Sequence, residues 1–160
     1  MQVSLKAMNE ESFSDYRKQA IPAYAKDNVE SGRWQEADAL ERSKQDFERL
    51  LPEGLASKNN YLFNVIDNKS DKYVGHVWVK VEDNIGTKSA FIYDIEIYEL
   101  YRRKGYAKSA LSNIENIVEA LGATSLGLHV FHYNEAAMAL YDSVGYHVVS
   151  HNMKKQLSAN

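Results

Sequence analysis

Apolar positions along the chain change their period several times, which predicts a succession of strands and helices. Residues 3–8 alternate with a period of two, as in a short strand. Residues 10–30 then carry apolar side chains at helical spacing behind Asn9, a good helix cap, and residues 36–51 repeat the helical pattern. We expect Pro22 to break or kink the first of these helices, because proline lacks the backbone donor that a helix interior needs.

The middle of the chain has the pattern of strands. Each apolar, β-branched or aromatic run is separated from the next by turn-forming residues, which is typical of an antiparallel meander. The predicted strands cover residues 61–67, 73–82 and 90–98.

The last third alternates helices with strands. An amphipathic helix over residues 105–121 ends at Gly122, and a helix over residues 134–144 ends at Gly145. Three further strands are predicted at residues 125–130, 146–150 and 153–157. The prediction is therefore an α+β fold with a central mixed sheet of about seven strands, a meander followed by a β-α-β-α-β arrangement, flanked by about four helices.

Composition narrows the function classes. The chain has 160 residues, a formal net charge of −3 and no cysteine. This length fits one domain over residues 1–160, and the lack of cysteine excludes disulfides, a thiol nucleophile and thiolate metal sites. The acidic balance gives no support for nucleic-acid binding, and no apolar run is long enough for a membrane helix. Because the first residues lack the pattern of a signal peptide, we expect a cytoplasmic protein.

A basic turn before the third helix is the first candidate site. Residues 101–108 read Tyr-Arg-Arg-Lys-Gly-Tyr-Ala-Lys, and they join an apolar strand to an amphipathic helix. A helix N-terminus offers unpaired amides, Gly105 allows close backbone approach, and the neighbouring side chains add positive charge. Such a turn suits a pyrophosphate, although a basic helix start without a ligand explains the same residues equally well.

A second stretch lies at residues 134–146. Asn134 is placed to cap a helix, and Tyr141 follows two helical turns later, so that both side chains can face the same side. Taken separately, a helix cap and a core tyrosine are the commoner explanations of these two residues.

Together the two stretches resemble the GNAT superfamily of N-acetyltransferases. The phosphate-binding signature Gln/Arg-x-x-Gly-x-Gly/Ala of that superfamily is matched at Arg102, Gly105 and Ala107. Its later motif Asn-x-x-Ala-x-x-Leu-Tyr-x-x-x-Gly-Phe/Tyr is matched by a second set of residues: Asn134, Ala137, Leu140, Tyr141, Gly145 and Tyr146. Arg103 departs from the pattern, since it stands where members often have glycine. The resemblance covers nearly the whole chain and is closest to small bacterial members.

The resemblance implies acetyl-CoA as co-substrate and direct attack of an amine on its thioester in a ternary complex. By position, Ile95 and Ile97 would offer backbone groups to the cofactor, with the Ile97 amide on the thioester carbonyl. Asn134 and Ala137 would lie near the pantetheine arm, and Tyr141 would protonate or hydrogen-bond the departing thiolate. The pyrophosphate would be bound by the basic turn: Arg102, Arg103, Lys104, Gly105, Tyr106, Ala107 and Lys108.

Two carboxylates interrupt the apolar third strand of the meander. Strand alternation places Asp94 and Glu96 on one face, opposite Tyr93, Ile95 and Ile97. In the family, the position of Asp94 sometimes carries a group that acts on the amine, so we rank Asp94 above Glu96 as base or amine-orienting group. Pairing of these carboxylates with a structural cation is the alternative.

The acceptor is expected to be a small-molecule or peptide amine, and the acidic residues favour a cationic one. Tyr24, Trp34 and Trp78 could line its cleft, although packing explains each of them more simply. No metal is expected, because the histidines lack ligand spacing. A non-catalytic acyl-CoA sensor and an enzyme for longer acyl chains remain alternatives, and a homodimer is the default assembly.

Overall fold

The computed structural model describes residues 1–158. The chain forms two compact units, residues 1–129 and 130–160. The first unit contains five strands and three of the α-helices. Its strands are β1 Val3–Ala7, β2 Asn60–Asp67, β3 Tyr73–Asn84, β4 Thr87–Ile97 and β5 Leu126–Leu128, and its helices are α1 Glu10–Glu30, α2 Glu36–Leu50 and α3 Tyr106–Ala120.

The five strands form one mixed sheet in the order β1-β2-β3-β4-β5. The first four pair antiparallel, as the predicted meander requires, and Ile85 and Gly86 with positive φ form the tight turn between β3 and β4. β5 pairs parallel to β4 after the connection through α3. Parallel pairing needs such a long connection, whereas antiparallel neighbours can be joined by a tight turn.

A β-bulge interrupts the pairing of β3 with β4. Trp78 pairs with Asp94, whereas Val79 pairs with Ile92, so Tyr93 is the extra residue. The ring of Tyr93 stacks on Trp78 with centroids 4.9 Å apart, and both therefore lie on the face that carries Asp94. The expectation that Tyr93 faces away from Asp94 is wrong, because simple alternation does not hold across a bulge.

Helices α1 and α2 pack on the Trp78 face of the sheet. One cluster of buried side chains joins them to β2 and β3: Met8, Phe13, Tyr16, Ala20, Ile21, Phe47, Leu51, Leu62 and Trp78. Helix α1 continues past Pro22 to Glu30, so the predicted break is not observed. Packing of the buried face of α1 on both sides of Pro22, at Phe13 and Tyr16 before it and at Ala25 after it, outweighs the lost backbone bond.

The second unit contains α4, Glu135–Ser143, which begins after Asn134 and is followed by Gly145 with φ of +101°. Residues 146–150 and 153–157 are not strands, so the described chain has five strands and not about seven. Val148, Val149, Met153 and Leu157 in these segments are exposed. Their alternation suits a strand, but without a ladder of backbone partners a strand does not form.

Candidate active site

The second half of β4 has an open edge within the first unit. β5 pairs with β4 only at Ala90, Phe91 and Ile92, so residues 93–97 have a ladder partner on one side alone. The Tyr98 amide donates to Val74 of β3. Because successive backbone groups of a strand point in opposite directions, the amides of Ile97 and Ile95 point away from β3, toward the open edge. Ile95 and Ile97, which are expected to offer backbone groups to a cofactor, thus present their amides at this edge.

The basic turn lies directly after this strand. Gly105 has φ of +85° and precedes α3, whose first i→i−4 bond runs from the Ser109 amide to the Gly105 carbonyl. The amides of Tyr106, Ala107 and Lys108 come before that bond, so they have no acceptor within the helix. They form a cluster of donors at the positive end of the helix dipole.

Two residues of the turn, Arg103 and Gly105, have a left-handed backbone conformation. Glycine adopts this conformation without steric cost, which explains its presence at position 105. At Gly105, a Cβ atom would lie 3.0 Å from Oε1 of Gln2. Arg103 has φ of +64°, a conformation that costs a non-glycine residue about 1 kcal/mol or more. Arg103 therefore stores backbone strain at this position of the turn.

The Arg102 side chain is bound to the end of β4. Its Nε donates to the Ile97 carbonyl at 2.8 Å, and Nη2 lies 3.4 Å from Oε1 of Glu96. Arg102 thus holds the C-terminal end of β4 in place and partly neutralises the charge of Glu96. Pairing of Glu96 with a cation, the alternative considered above, is observed.

Asp94 is held by two donors from different elements. The Tyr16 hydroxyl on α1 donates to its Oδ2 at 2.8 Å, and Nε2 of His76 on β3 lies 3.0 Å from the same oxygen. The Asp94 side chain is 35% exposed, so one side of the carboxylate is accessible. Asp94 is therefore oriented by the protein and still reachable from outside.

His76 was not singled out by the sequence, although it lies at the centre of this cluster. It is 2% exposed, its Nδ1 lies 3.3 Å from the Tyr98 hydroxyl, and Nε2 is 3.6 Å from Glu96. The signal was present as a histidine within the buried run of β3, directly opposite Glu96 in the register. A buried polar side chain opposite a carboxylate is informative once the hairpin register is known.

Burial and negative charge perturb the groups around these carboxylates. Burial, followed by the charge of Asp94, holds the pKa of Tyr16 well above its usual range. Burial and then Glu96 and Asp94 raise the pKa of Tyr98. Asp27 on α1 has a raised pKa because of burial, with Glu30 and Asp94 adding to the effect. Both phenols are therefore hydrogen-bond donors at neutral pH, and negative charge accumulates on this face.

The two tryptophans considered for the acceptor cleft lie among other aromatic side chains. Trp78 is buried against Phe47, and Trp34 is buried with its ring 5.4 Å from that of Tyr24. The packing explanation of Trp34 and Trp78 therefore agrees with the structure. Tyr93 is different, because it is partly exposed beside Asp94.

The remaining predicted residues belong to the second unit. The Asn134 side chain accepts from the Ala137 amide at 3.3 Å and so caps α4. Tyr141 lies on the same helix, with its ring 5.9 Å from that of Tyr146. Both residues therefore have structural contacts within their own unit.

Among residues 1–158, no three His, Cys, Asp or Glu side chains gather in a group that could hold a metal ion. Over the same residues, none of the helices combines the length and apolarity needed to cross a bilayer.

Comparison with known proteins identifies the family. The model of the acetyltransferase (GNAT) family matches residues 13–146. Two proteins of Bacillus subtilis strain 168, the uncharacterised N-acetyltransferases YdgE and YycN, are each 38% identical over 157 residues; the matches cover 98% of this chain and 99% and 100% of theirs. A [ribosomal protein bS18]-alanine N-acetyltransferase of Haemophilus ducreyi is 29% identical over 121 residues, 67% of this chain and 80% of that protein.

The fold agrees with this match. The crystal structure of YycN superposes with a TM-score of 0.91 at 37% identity and covers 98% of this chain and 99% of the other. The family match covers both the basic turn and the Asn134–Tyr146 motif. This chain belongs to the GNAT family of acetyltransferases.

Proposed function

We propose that this protein transfers an acetyl group from acetyl-CoA to a primary amine, by direct attack of the amine in a ternary complex. The observation that carries the proposal is the position of Asp94. This oriented and accessible carboxylate lies on a strand whose Ile95 and Ile97 amides point away from β3. Asp94 as the amine-binding group and the Ile97 amide as the oxyanion donor would then lie three residues apart on one strand.

The backbone groups of the first unit support acetyl-CoA as the acyl donor. The amides of residues 106–108 would bind its pyrophosphate, with Arg103, Lys104 and Lys108 adding positive charge. Arg102 would contribute mainly by holding the end of β4 in place, since its guanidinium already contacts Ile97 and Glu96. The Ile97 amide would hydrogen-bond the thioester carbonyl and stabilise the charge that develops there.

The acceptor amine would be bound by Asp94. An alkylammonium ion has a pKa near about 10, so the amine must lose a proton before it attacks. Asp94 would align the amine, and a bound water would relay the proton away from it. The negative charge of Glu96 and Asp27 favours a cationic acceptor, and the exposed face of Tyr93 offers a cation–π surface.

The departing thiolate would receive its proton from Tyr141. A phenol of pKa about 10 can protonate a thiolate whose conjugate acid has a pKa near about 8.5 only when it is well positioned, so this role depends on geometry. Asn134 and Ala137 would support the pantetheine arm from the start of the same helix.

The test is a screen of amines with acetyl-CoA that measures released thiol. The chain has no cysteine, so a thiol reagent detects only CoA. The panel would include polyamines, amino acids, aminoglycosides and peptides with a free N-terminus. The last class is chosen because one relative is named a [ribosomal protein bS18]-alanine N-acetyltransferase, whose acceptor is a protein. We expect turnover with a cationic amine and a large loss in Asp94→Asn, with acetyl-CoA binding retained.

Two results would contradict the proposal. Tight acetyl-CoA binding without turnover across the panel would indicate an acyl-CoA sensor. Faster turnover with longer acyl-CoA thioesters than with acetyl-CoA would indicate a different acyl donor. Asp83→Asn, an exposed change near the turn between β3 and β4, serves as the matched control for Asp94→Asn.

A further inference from the structure

The buried His76 has no role in the mechanism proposed above, and it contacts both carboxylates of β4, Asp94 and Glu96. Its two ring nitrogens lie between the Tyr98 hydroxyl and the carboxylates of Asp94 and Glu96. A buried imidazole must satisfy both nitrogens, because an unmade hydrogen bond in the interior is costly. An apolar side chain at this buried position would need no hydrogen bonds, whereas His76 needs a partner for each ring nitrogen. The contacts with Tyr98 and the carboxylates supply those partners.

The hydrogen-bond partners determine where the proton of His76 lies. An ionised Asp94 can only accept, so Nε2 must carry a hydrogen and donate it to Oδ2. Tyr98 keeps its hydroxyl hydrogen at neutral pH and can donate to Nδ1. Nε2 is therefore a donor to Asp94 whether the imidazole is neutral or charged.

Both donors to Asp94 converge on a single oxygen. The Tyr16 hydroxyl and His76 Nε2 both bind Oδ2, at 2.8 Å and 3.0 Å. Two donors from separate elements fix the plane of the carboxylate and direct Oδ1 away from them. Glu96 is bound less tightly, since its contacts with His76 and Arg102 are 3.6 Å and 3.4 Å long.

We propose that His76 is a positioning residue for the acetyl transfer: with Tyr16 it holds Asp94 Oδ2 so that Oδ1 faces the acceptor amine. This inference rests on the proposed function, in which Asp94 binds that amine. The ring of His76 is almost fully buried, so it contacts Asp94 from inside the protein. The role of the nitrogen is to donate a hydrogen bond.

The test compares steady-state kinetics of His76 variants, using the best amine from the screen. His76→Phe keeps an aromatic ring against Tyr16 but removes both nitrogens, and His76→Gln restores one donor. We expect His76→Phe to lower kcat/KM for the amine by about tenfold to a hundredfold, as misplacement of a catalytic group does. The KM for acetyl-CoA should stay unchanged, and His76→Gln should recover most of the loss.

A double-mutant cycle separates positioning from general packing. If His76 acts through Asp94, then His76→Phe has almost no further effect in an Asp94→Asn background. Tyr16→Phe removes only the second donor to Oδ2. It should likewise lower kcat/KM for the amine in the wild-type background and have almost no effect in the Asp94→Asn background, so it replaces His76→Phe if that variant does not fold. The matched controls are Tyr61→Phe on β2 and His151→Gln on the exposed C-terminal segment, and neither should change turnover.

The outcomes are distinct for the two proposals. If the wild type releases no thiol with any amine, the proposed function fails and this inference fails with it. If the wild type turns over, three results overturn the role of His76 alone: unchanged kinetics in the folded His76 variants, equal losses in His76→Phe and His76→Gln, or losses that multiply in full with that of Asp94→Asn.

Discussion

Replacement of Gly75 by alanine tests how closely β3 must approach β4 beside the candidate site. Gly75 is buried on β3 and pairs with Ile97. A Cβ atom at this position would lie 2.1 Å from the backbone oxygen of Glu96 and 3.0 Å from Cδ1 of Ile97. The first contact is with main chain, so a change of rotamer cannot relieve it. The two strands must separate by about 0.9 Å to bring that contact to 3.0 Å.

The energetic cost follows from this displacement. Overpacking of a close-packed interior costs about 1–3 kcal/mol, and a weakened ladder bond adds about 1 kcal/mol. We therefore expect Gly75→Ala to lower the free energy of unfolding by about 3 kcal/mol. In a domain of this size, that corresponds to a fall in Tm of about 6–12 °C.

Urea unfolding followed by tryptophan fluorescence measures the change, because Trp78 lies three residues along the same strand. Gly127→Ala on β5 is the matched control. Its Cβ would meet the Phe91 ring at 3.4 Å, an ordinary contact, so its stability should change by less than about 1 kcal/mol. If Gly75→Ala and Gly127→Ala had equal free energies of unfolding, the contact of the new Cβ with the Glu96 backbone oxygen would not be the cause of a loss of stability.

Three further predictions concern other parts of the molecule. Tyr141→Phe should lower kcat by about tenfold or more while acetyl-CoA binding is retained, measured by thiol release and calorimetry; full activity would exclude its acid role. Arg103→Gly should raise the free energy of unfolding by about 0.5–1 kcal/mol, since it relieves left-handed strain, and should weaken acetyl-CoA binding through the lost charge; lower stability in urea would contradict this. The raised pKa of Tyr16 predicts that its contribution to stability is complete below about pH 10 and is lost as the pH rises further. Tyr16→Phe should therefore lose less stability than the wild type between about pH 9 and about pH 11, and an equal loss would show that Tyr16 does not contribute.

The sequence predicts most elements of the first unit because local signals agree there with packing. Asn9 caps α1 as expected, and Gly122 with φ of +97° follows α3. Pro22 and Tyr93 are exceptions in this unit: tertiary contacts outweigh the helix-breaking tendency of Pro22, and the β-bulge turns Tyr93 onto the face of Asp94. The two strands predicted after Gly145 are absent for a related reason: alternation gives a strand only where another strand supplies hydrogen bonds.

The candidate site was predicted only in part. Asp94 and Glu96 stand out as charges in an apolar strand, so the sequence identifies them. Tyr16 and His76 do not, because one lies 78 residues from Asp94 along the chain and the other 18 residues away, and only the fold brings them together. Contacts of this kind depend on strand register and on the packing of α1, which a local pattern does not specify.

The bulge at Tyr93 increases the number of functional groups that one short strand can present. In a regular strand, four consecutive residues place only two side chains on a given face. Here Tyr93, Asp94 and Glu96 all lie on the face of Trp78, three within four residues. Deletion of Tyr93 would restore regular pairing and remove the aromatic neighbour of Asp94. A redesign of acceptor specificity in this protein should therefore keep the length of β4 constant and vary only the side chains that β4 carries.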